Sequence, residues 1–121
     1  MIQLYFENHH IDCIGRCENK YTLYVVDKND PELKVIGYIQ YTILEDINTF
    51  DNNNELYIDY VKVIEEFRGK GVGKALYLKL FELNKDMTFM RAGYYSESGR
   101  SIRKWFEEEV LNKYAKQLTI K

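Results

Sequence analysis

Apolar and polar positions alternate over short runs in the first half of the chain and shift to a helical rhythm in the second. Residues 21–27 (YTLYVVD), 34–44 (KVIGYIQYTIL) and 56–63 (LYIDYVKV) are rich in β-branched and aromatic side chains, which predicts three strands. Lys28-Asn29-Asp30-Pro31-Glu32, with the chain's one proline, is a turn that makes the first two a hairpin. Glu45 to Glu55 reads as a polar loop. Val72, Ala75, Leu76, Leu80 and Phe81 are helically spaced, predicting a helix over 71–85 that ends near Asn84-Lys85-Asp86. Residues 87–93 (MTFMRAG) read as a strand, and 98–114 as a helix with Ile102, Trp105, Phe106 and Val110 on one stripe. Residues 2–6 (IQLYF) can add a short first strand, and Gln117 to Ile120 a last one.

The order is then β-β-β-α-β-α-β. A strand–helix–strand succession implies a right-handed parallel crossover. The expected fold class is α/β (α+β): a mixed central sheet with antiparallel N-terminal strands, a parallel β-α-β unit and flanking helices. At 121 residues it is a single domain, 1–121, large enough for one core.

Residues 8–19 are ambiguous. His9, Cys13 and Cys17 are spaced i, i+4, i+8, so a helix would bring them to one face with His10 beside them. Structural zinc draws on tighter cysteine pairs and four clear ligands. The plainer reading is a half-buried short helix with its cysteines packed inward, and no metal is expected.

Composition excludes more than it selects. The chain is 45% hydrophobic and 30% charged, ordinary for a soluble globular protein. A net charge of −2 gives no global field for nucleic acid; the cations cluster locally, at 62–79 and 100–104. No apolar run approaches the roughly 20 residues that cross a membrane, and MIQLYFENHH does not read as a signal peptide. Two cysteines without an export signal suggest reduced thiols and a cytoplasmic setting.

The candidate chemistry lies between the strand at 57–63 and the helix that follows. Arg68-Gly69-Lys70-Gly71-Val72-Gly73-Lys74 packs three glycines and three cations into seven residues. A helix's first amides lack intrahelical acceptors, and its dipole adds about half a positive charge at that end. Glycines let a ligand approach the backbone and permit positive φ. The expected guest is a phosphate or pyrophosphate. A Walker loop does not fit, because its second glycine would fall on Lys74; G-x-G-x-x-G fails likewise, ending on Lys74 or on Leu76. The pattern R/Q-x-x-G-x-G/A is met in full by Arg68 to Gly73.

With that loop, the run VKVIEEFRGKGVGKAL resembles the acyl-CoA-binding segment of the GNAT superfamily of N-acetyltransferases. The resemblance covers residues 21–114, weakening toward both ends. It implies a GNAT-like fold, shortened at both ends, and acetyl-CoA as co-substrate. The pyrophosphate would rest on the amides of Gly69, Gly71, Val72, Gly73 and Lys74, with Arg68, Lys70 and Lys74 supplying charge. The pantetheine arm would pair with the backbone of Val61, Lys62 and Val63. Only about 14 residues separate 2–6 from Tyr21 and seven follow Tyr114, where the family usually carries two helices and a final hairpin. That implies an open acceptor side, suited to a protein amine, or one walled by a second copy in a homodimer.

The implied reaction is attack of a primary amine on a thioester. An amine of pKa about 10.4 is mostly protonated at neutral pH, so a base is needed. Asp59 is the first candidate: the family often has an acidic residue there, alternation places it with Tyr57, Val61 and Val63, and an aspartate among Ile58, Tyr60 and Val61 is out of keeping with a buried strand. A surface or ion-paired aspartate is the plainer reading. Glu55 and Glu65 are second choices. The family's usual acid, a tyrosine on the last helix, is replaced by Trp105, with Phe106 next to it. Tyr94, Tyr95, Ser96 and Tyr114 remain as donors, Tyr94 foremost; alternatively a thiolate of pKa about 8.5 leaves unaided. The competing readings are an acyl-CoA-binding regulatory module without catalysis and an interaction protein. Neither nucleic acid nor membrane is an expected partner.

Overall fold

The computed structural model describes residues 2–14, 18–45, 54–91 and 97–119. Four strands come first: β1 (Leu4–Ile14), β2 (Glu18–Asp27), β3 (Val35–Leu44) and β4 (Glu55–Val63). A 3-10 turn (Glu65–Phe67) leads to helix α1 (Val72–Leu83), then to the short strand β5 (Thr88–Met90). Helix α2 (Glu97–Phe106) runs through a π-helical turn (Glu107–Leu111) into α3 (Asn112–Thr119). The sheet has the order β1-β2-β3-β4-β5. The first four strands are antiparallel neighbours, and β4 and β5 are parallel, joined through α1.

Three expectations change. The helix considered for 8–19 is replaced by two strands, since β1 and β2 pair from Leu4↔Asp27 to Ile14↔Glu18. A spacing of four returns a side chain to the same face in a helix and in a strand alike, so the His/Cys spacing could not tell them apart. Aromatic contacts favour the strand: the ring of His9 meets Tyr24 edge-on at 5.5 Å and that of His10 meets Tyr21 at 5.0 Å. Cys17 lies outside the described residues, and among those described no group of three His, Cys, Asp or Glu could hold a metal. The strand foreseen at 87–93 shrinks to β5, Arg91 being outside it and Ala92 and Gly93 outside the described residues. The strand foreseen from Gln117 is helical through Thr119, with Ile120 undescribed.

The core lies on one face of the sheet. Leu23, Val25, Ile39, Ile43 and Leu56 meet Val72, Leu76, Tyr77 and Leu80 of α1. Phe106 of α2 is fully buried and touches the rings of Tyr77 (5.0 Å), Phe89 (5.3 Å) and Phe81 (6.3 Å), so one side chain ties α2 to both α1 and β5. Burial of each such residue stabilises by roughly 1.5–3 kcal/mol. Tyr41 also lies in this core, its hydroxyl donating to Asn8 Oδ1 at 2.7 Å while burial pushes its phenol above the usual tyrosine range. The opposite face is open. Tyr24, Tyr38 and Tyr60 form a row of ring contacts across it (6.4 and 6.0 Å), and Gln40, Asp59, Tyr60 and Lys62 are exposed.

Helix α1 comes close to the sheet because Gly37 has no side chain. A Cβ there would lie 3.0 Å from the Lys62 carbonyl oxygen and 3.3 Å from Leu76 Cδ1. The backbone oxygen cannot yield as a side-chain tip can. Gly37→Ala is therefore expected to destabilise by about 1–3 kcal/mol, read as a lower midpoint in urea at unchanged m-value; a neutral result would show that the sheet and helix relax freely there.

Glu107 fastens the helical segment to the end of β5. It accepts from Arg91 Nε (2.7 Å) and Nη2 (2.8 Å) and from Arg103 Nε (3.0 Å). The hydrogen bonds from Arg91 and then Arg103 hold its carboxyl below the usual carboxylate range. A folded-state pKa depressed in this way contributes stability at neutral pH and loses it as pH falls through the folded value. Glu107→Gln should lower Tm at pH 7, and the gap from the parent chain should close as pH drops below about 4. A gap constant with pH would assign the effect to packing.

Candidate active site

Strand β4 is paired along its whole length with β3, from Leu44↔Glu55 to Gly37↔Val63. On its other edge β5 reaches only Glu55, Leu56 and Tyr57. Beyond Tyr57 that edge of β4 has no strand neighbour among the described residues. Buried or ligand-facing backbone groups demand partners, so the stretch up to Val63, whose own carbonyl accepts from Arg68 Nε, can take an extended ligand chain.

The loop begins where β4 stops. Phe67 N donates to Ile64 O (3.0 Å) and Arg68 N to Glu65 O (3.2 Å), closing the 3-10 turn. Gly69 (φ 74°) and Gly71 (φ 85°) then take left-handed backbone, which explains glycine at both. An added Cβ would meet nothing within 4 Å at either, so their faces border open space. The first helical bond runs from Ala75 N to Gly71 O (3.0 Å), leaving the amides of Val72, Gly73 and Lys74 without intrahelical acceptors. Gly73 is different: its Cβ would lie 3.0 Å from Ile102 Cδ1, so it serves the close approach of α2.

These parts enclose a groove of about 820 Å³. Tyr60, Val61, Lys62 and Val63 line it from β4; Phe67, Arg68, Gly69, Gly71, Val72, Gly73 and Lys74 from the loop; Gly99 and Ile102 from α2. The cations are held in three ways. Arg68 Nε donates to Val63 O at 3.0 Å, Lys70 Nζ sits 5.2 Å from the centre of the Phe67 ring, and Lys74 Nζ sits 5.0 Å from that of Trp105. Lys70 is not among the lining residues, so of the loop cations only Arg68 and Lys74 border the groove.

Asp59 is placed otherwise than alternation foretold. Tyr60 faces Gln40 and Ile58 faces Tyr41 across β3, so Asp59 is the extra residue of a bulge. The bulge turns its carboxylate away from the core face that holds Ile58, Val61 and Val63, and toward the open face. There Asp59 Oδ2 accepts from Thr42 Oγ1 at 2.6 Å, and Lys20 Nζ donates to the same hydroxyl at 3.3 Å. Asp59 does not line the groove, but the next residue, Tyr60, does. A carboxylate in this position can reach an amine only from the open face.

The other candidates scatter. Glu55 starts β4, at the end far from the loop, and Glu65 is exposed in the 3-10 turn. Tyr114 packs edge-on to Phe81 at 5.1 Å, away from the groove. Tyr94, Tyr95 and Ser96 lie outside the described residues. Four contributors went unforeseen: Gly37, Thr42, Tyr60 and Ile102. Only Tyr60 and Gly37 had a signal, the first as a tyrosine beside Asp59 and the second as a glycine inside a strand.

The Acetyltransferase (GNAT) family model matches residues 3–103. The chain belongs to the GNAT acetyltransferase family. No curated protein sequence matches it significantly. Among solved structures it is similar to a ribosomal-protein-alanine N-acetyltransferase from Brucella melitensis, at 21% identity and a TM-score of 0.54, covering 69% of this chain and 55% of that one. It is similar also to an integron cassette protein from Vibrio cholerae (18%, TM-score 0.52, covering 75% and 53%) and to a Trypanosoma brucei acetyltransferase (19%, 0.52, covering 73% and 59%). The chain thus spans between 53% and 59% of the length of these chains. At such identities the likeness establishes the fold: a mixed five-stranded GNAT-like sheet with helices. Family membership supports acyl transfer as the general chemistry.

The residues present fit an acyl-CoA: free amides at a helix start, open space over Gly69 and Gly71, and an unpaired strand edge leading inward. Gly71→Asp should abolish CoA binding by calorimetry while far-UV CD keeps the fold: the side chain enters open space, its left-handed backbone costs only roughly 1–2 kcal/mol, and it sets a carboxylate where a pyrophosphate would lie. Lys74→Ala should weaken binding more at low salt than at high, since exposed charges are screened over about 10 Å at 0.1 M. Unchanged affinity in the glycine variant would remove the loop from the cofactor site.

Proposed function

We propose that this protein is an acetyl-CoA-dependent N-acetyltransferase acting on a primary amine, carried by a small molecule or by a protein, with the cytoplasm as its setting. The observation that supports this best is the junction of the glycine loop with the unpaired edge of β4, which offers phosphate contacts and a track for an extended arm in one groove. Acetyl-CoA would lie with its pyrophosphate on Arg68 to Lys74 and its arm along Val61, Lys62 and Val63. The amine would come from the open face, where Asp59 is exposed beside Tyr60. In the transfer the amine nitrogen bonds to the carbonyl carbon, the C–S bond breaks, and the amine proton passes to Asp59 directly or through one water. The Thr42 hydroxyl, donating to Asp59, fixes the carboxylate's orientation. Tyr94 is the donor we assign to the departing sulfur.

A second reading is a non-catalytic acyl-CoA-binding module. One observation favours it: Trp105, which stands where a phenol is usual, is engaged with Lys74. Thiol release from acetyl-CoA in the presence of amines and protein lysate separates the two. Release supports the enzyme; tight binding without release supports the module. For the enzyme, Asp59→Asn should leave acetyl-CoA affinity intact and lower turnover by roughly 10²–10⁴-fold. The residual rate should climb with pH as more amine becomes free, toward an amine pKa of about 10.4. Full turnover in this variant would sink the assignment of Asp59, and Tyr94→Phe at unchanged rate would sink that of Tyr94.

A further inference from the structure

Helix α2 separates two clefts. Gly99 and Ile102 border the groove described above, while Arg100, Arg103 and Lys104 line a second cleft of about 810 Å³. Its far wall is the end of β5, with Phe89 and Arg91, and its rim is the π-helical turn with Glu107 and Glu108. Four cations and two carboxylates line it, an excess of positive charge in a chain whose net charge is −2. Glu107 already receives Arg91 and Arg103. Arg100 and Lys104, both exposed, make no ion pair among the described residues.

Arg103 is the unusual member. It is 3% exposed, yet its guanidinium is not fully satisfied. Nε donates to Glu107 (3.0 Å), Nη2 donates to the Phe89 carbonyl (3.2 Å), and the Phe106 ring lies 5.6 Å away. Nη1 is buried with no hydrogen-bond partner among the described residues. Native proteins seldom leave such a donor unmatched, because its desolvation is uncompensated. What is lacking is an acceptor. It would enter past Arg100 and Lys104, whose exposed side chains can move aside. π-helical turns also recur at functional sites, and here one forms the rim. The volume falls in the range of ligand sites, and Phe89 and Leu111 add apolar lining.

We infer that this cleft is a second binding site, separate from the acyl-CoA groove, for a carboxylate or phosphate group, with the incompletely satisfied Arg103 guanidinium at its inner wall and Arg100 and Lys104 at the entrance. The site does not depend on the proposed acetyl transfer. Guanidinium donors arranged around a cleft suit a planar carboxylate or a phosphate through charge-assisted bonds.

The test is NMR titration of the Arg103 Nε–H resonance with inorganic phosphate, with acetate and with a tri-glutamate peptide. Saturable shifts are expected with at least one probe. Arg100→Ala/Lys104→Ala should weaken them by about tenfold or more. Both substituted residues are exposed, so the fold should hold, and Arg103 itself stays in place. In a chain carrying Arg68→Ala and Lys74→Ala the titration should be unchanged. Saturation by phosphate or acetate alone identifies a free small anion, and much tighter binding of the peptide identifies an acidic chain; both support the site. Absence of a saturable shift with all three probes would overturn it, as would equal affinity in the Arg100/Lys104 variant. Loss of binding in the Arg68/Lys74 variant would also do so, by assigning the anion to the glycine loop.

Discussion

Strand β4 has two edges, and among the described residues only the one facing β3 is paired to its end. The other loses its partner when β5 stops opposite Tyr57. Among the described residues, a backbone that turns from sheet to helix after such a break leaves polar groups without strand or helix partners on both sides of the turn: the strand edge before it, apart from the Val63 carbonyl that Arg68 Nε meets, and the first amides of α1 after it. Both sets border one groove. The glycines at 69 and 71 carry the chain through this corner in left-handed backbone without filling the space a ligand needs. The binding capacity of the groove thus follows from where a three-residue parallel pairing ends.

The bulge at Asp59 divides the work between the two faces of the sheet. Without it, strict alternation would put Asp59 on one side with Val61 and Val63, against α1, where an unpaired carboxylate is costly. With it, the valines stay on the core side and the carboxylate moves to the open face, held by Thr42. Donor and acceptor can then come from opposite sides of one strand. The open face carries what an approaching chain would meet: the Tyr24–Tyr38–Tyr60 row, which ends at the groove, and the Asp59–Thr42–Lys20 hydrogen-bonded group.

The glycine loop was legible because its function is written in consecutive residues, and the strands before it because their alternation is long. The elements misjudged share a cause: each depends on a partner distant in sequence. The spacing of His9 and Cys13 suits both periods, and pairing with β2 decided it. Asp59 looked like part of a regular strand, since an inserted residue shows only in the register against β3. Gln117 to Thr119 alternate weakly enough to read as a strand, but they continue a helix anchored upstream by Phe106 and Glu107. The buried Arg103 was one of the cations clustered at 100–104, with nothing in the sequence to set it apart; packing against Phe106 and its bond to the Phe89 carbonyl distinguish it.

Trp105 carries the remaining tension. A tyrosine in its place could protonate a departing sulfur, whereas the indole faces Lys74, a contact worth about 0.5–2 kcal/mol depending on how dry it is. The next contact over brings the same two helices close, since a Cβ on Gly73 would lie 3.0 Å from the Ile102 Cδ1 methyl, which would have to shift to admit it. Together they make α2 a fixed wall of the groove, positioned by the loop that would bind phosphate. Lys74 therefore has two competing claims on it, the ring and an incoming anion. A cation resting on an indole is only partly dehydrated and can shift toward a phosphate at small cost, so the contact pre-positions the charge. On this account the residue at 105 would contribute to binding of the anion rather than to proton transfer.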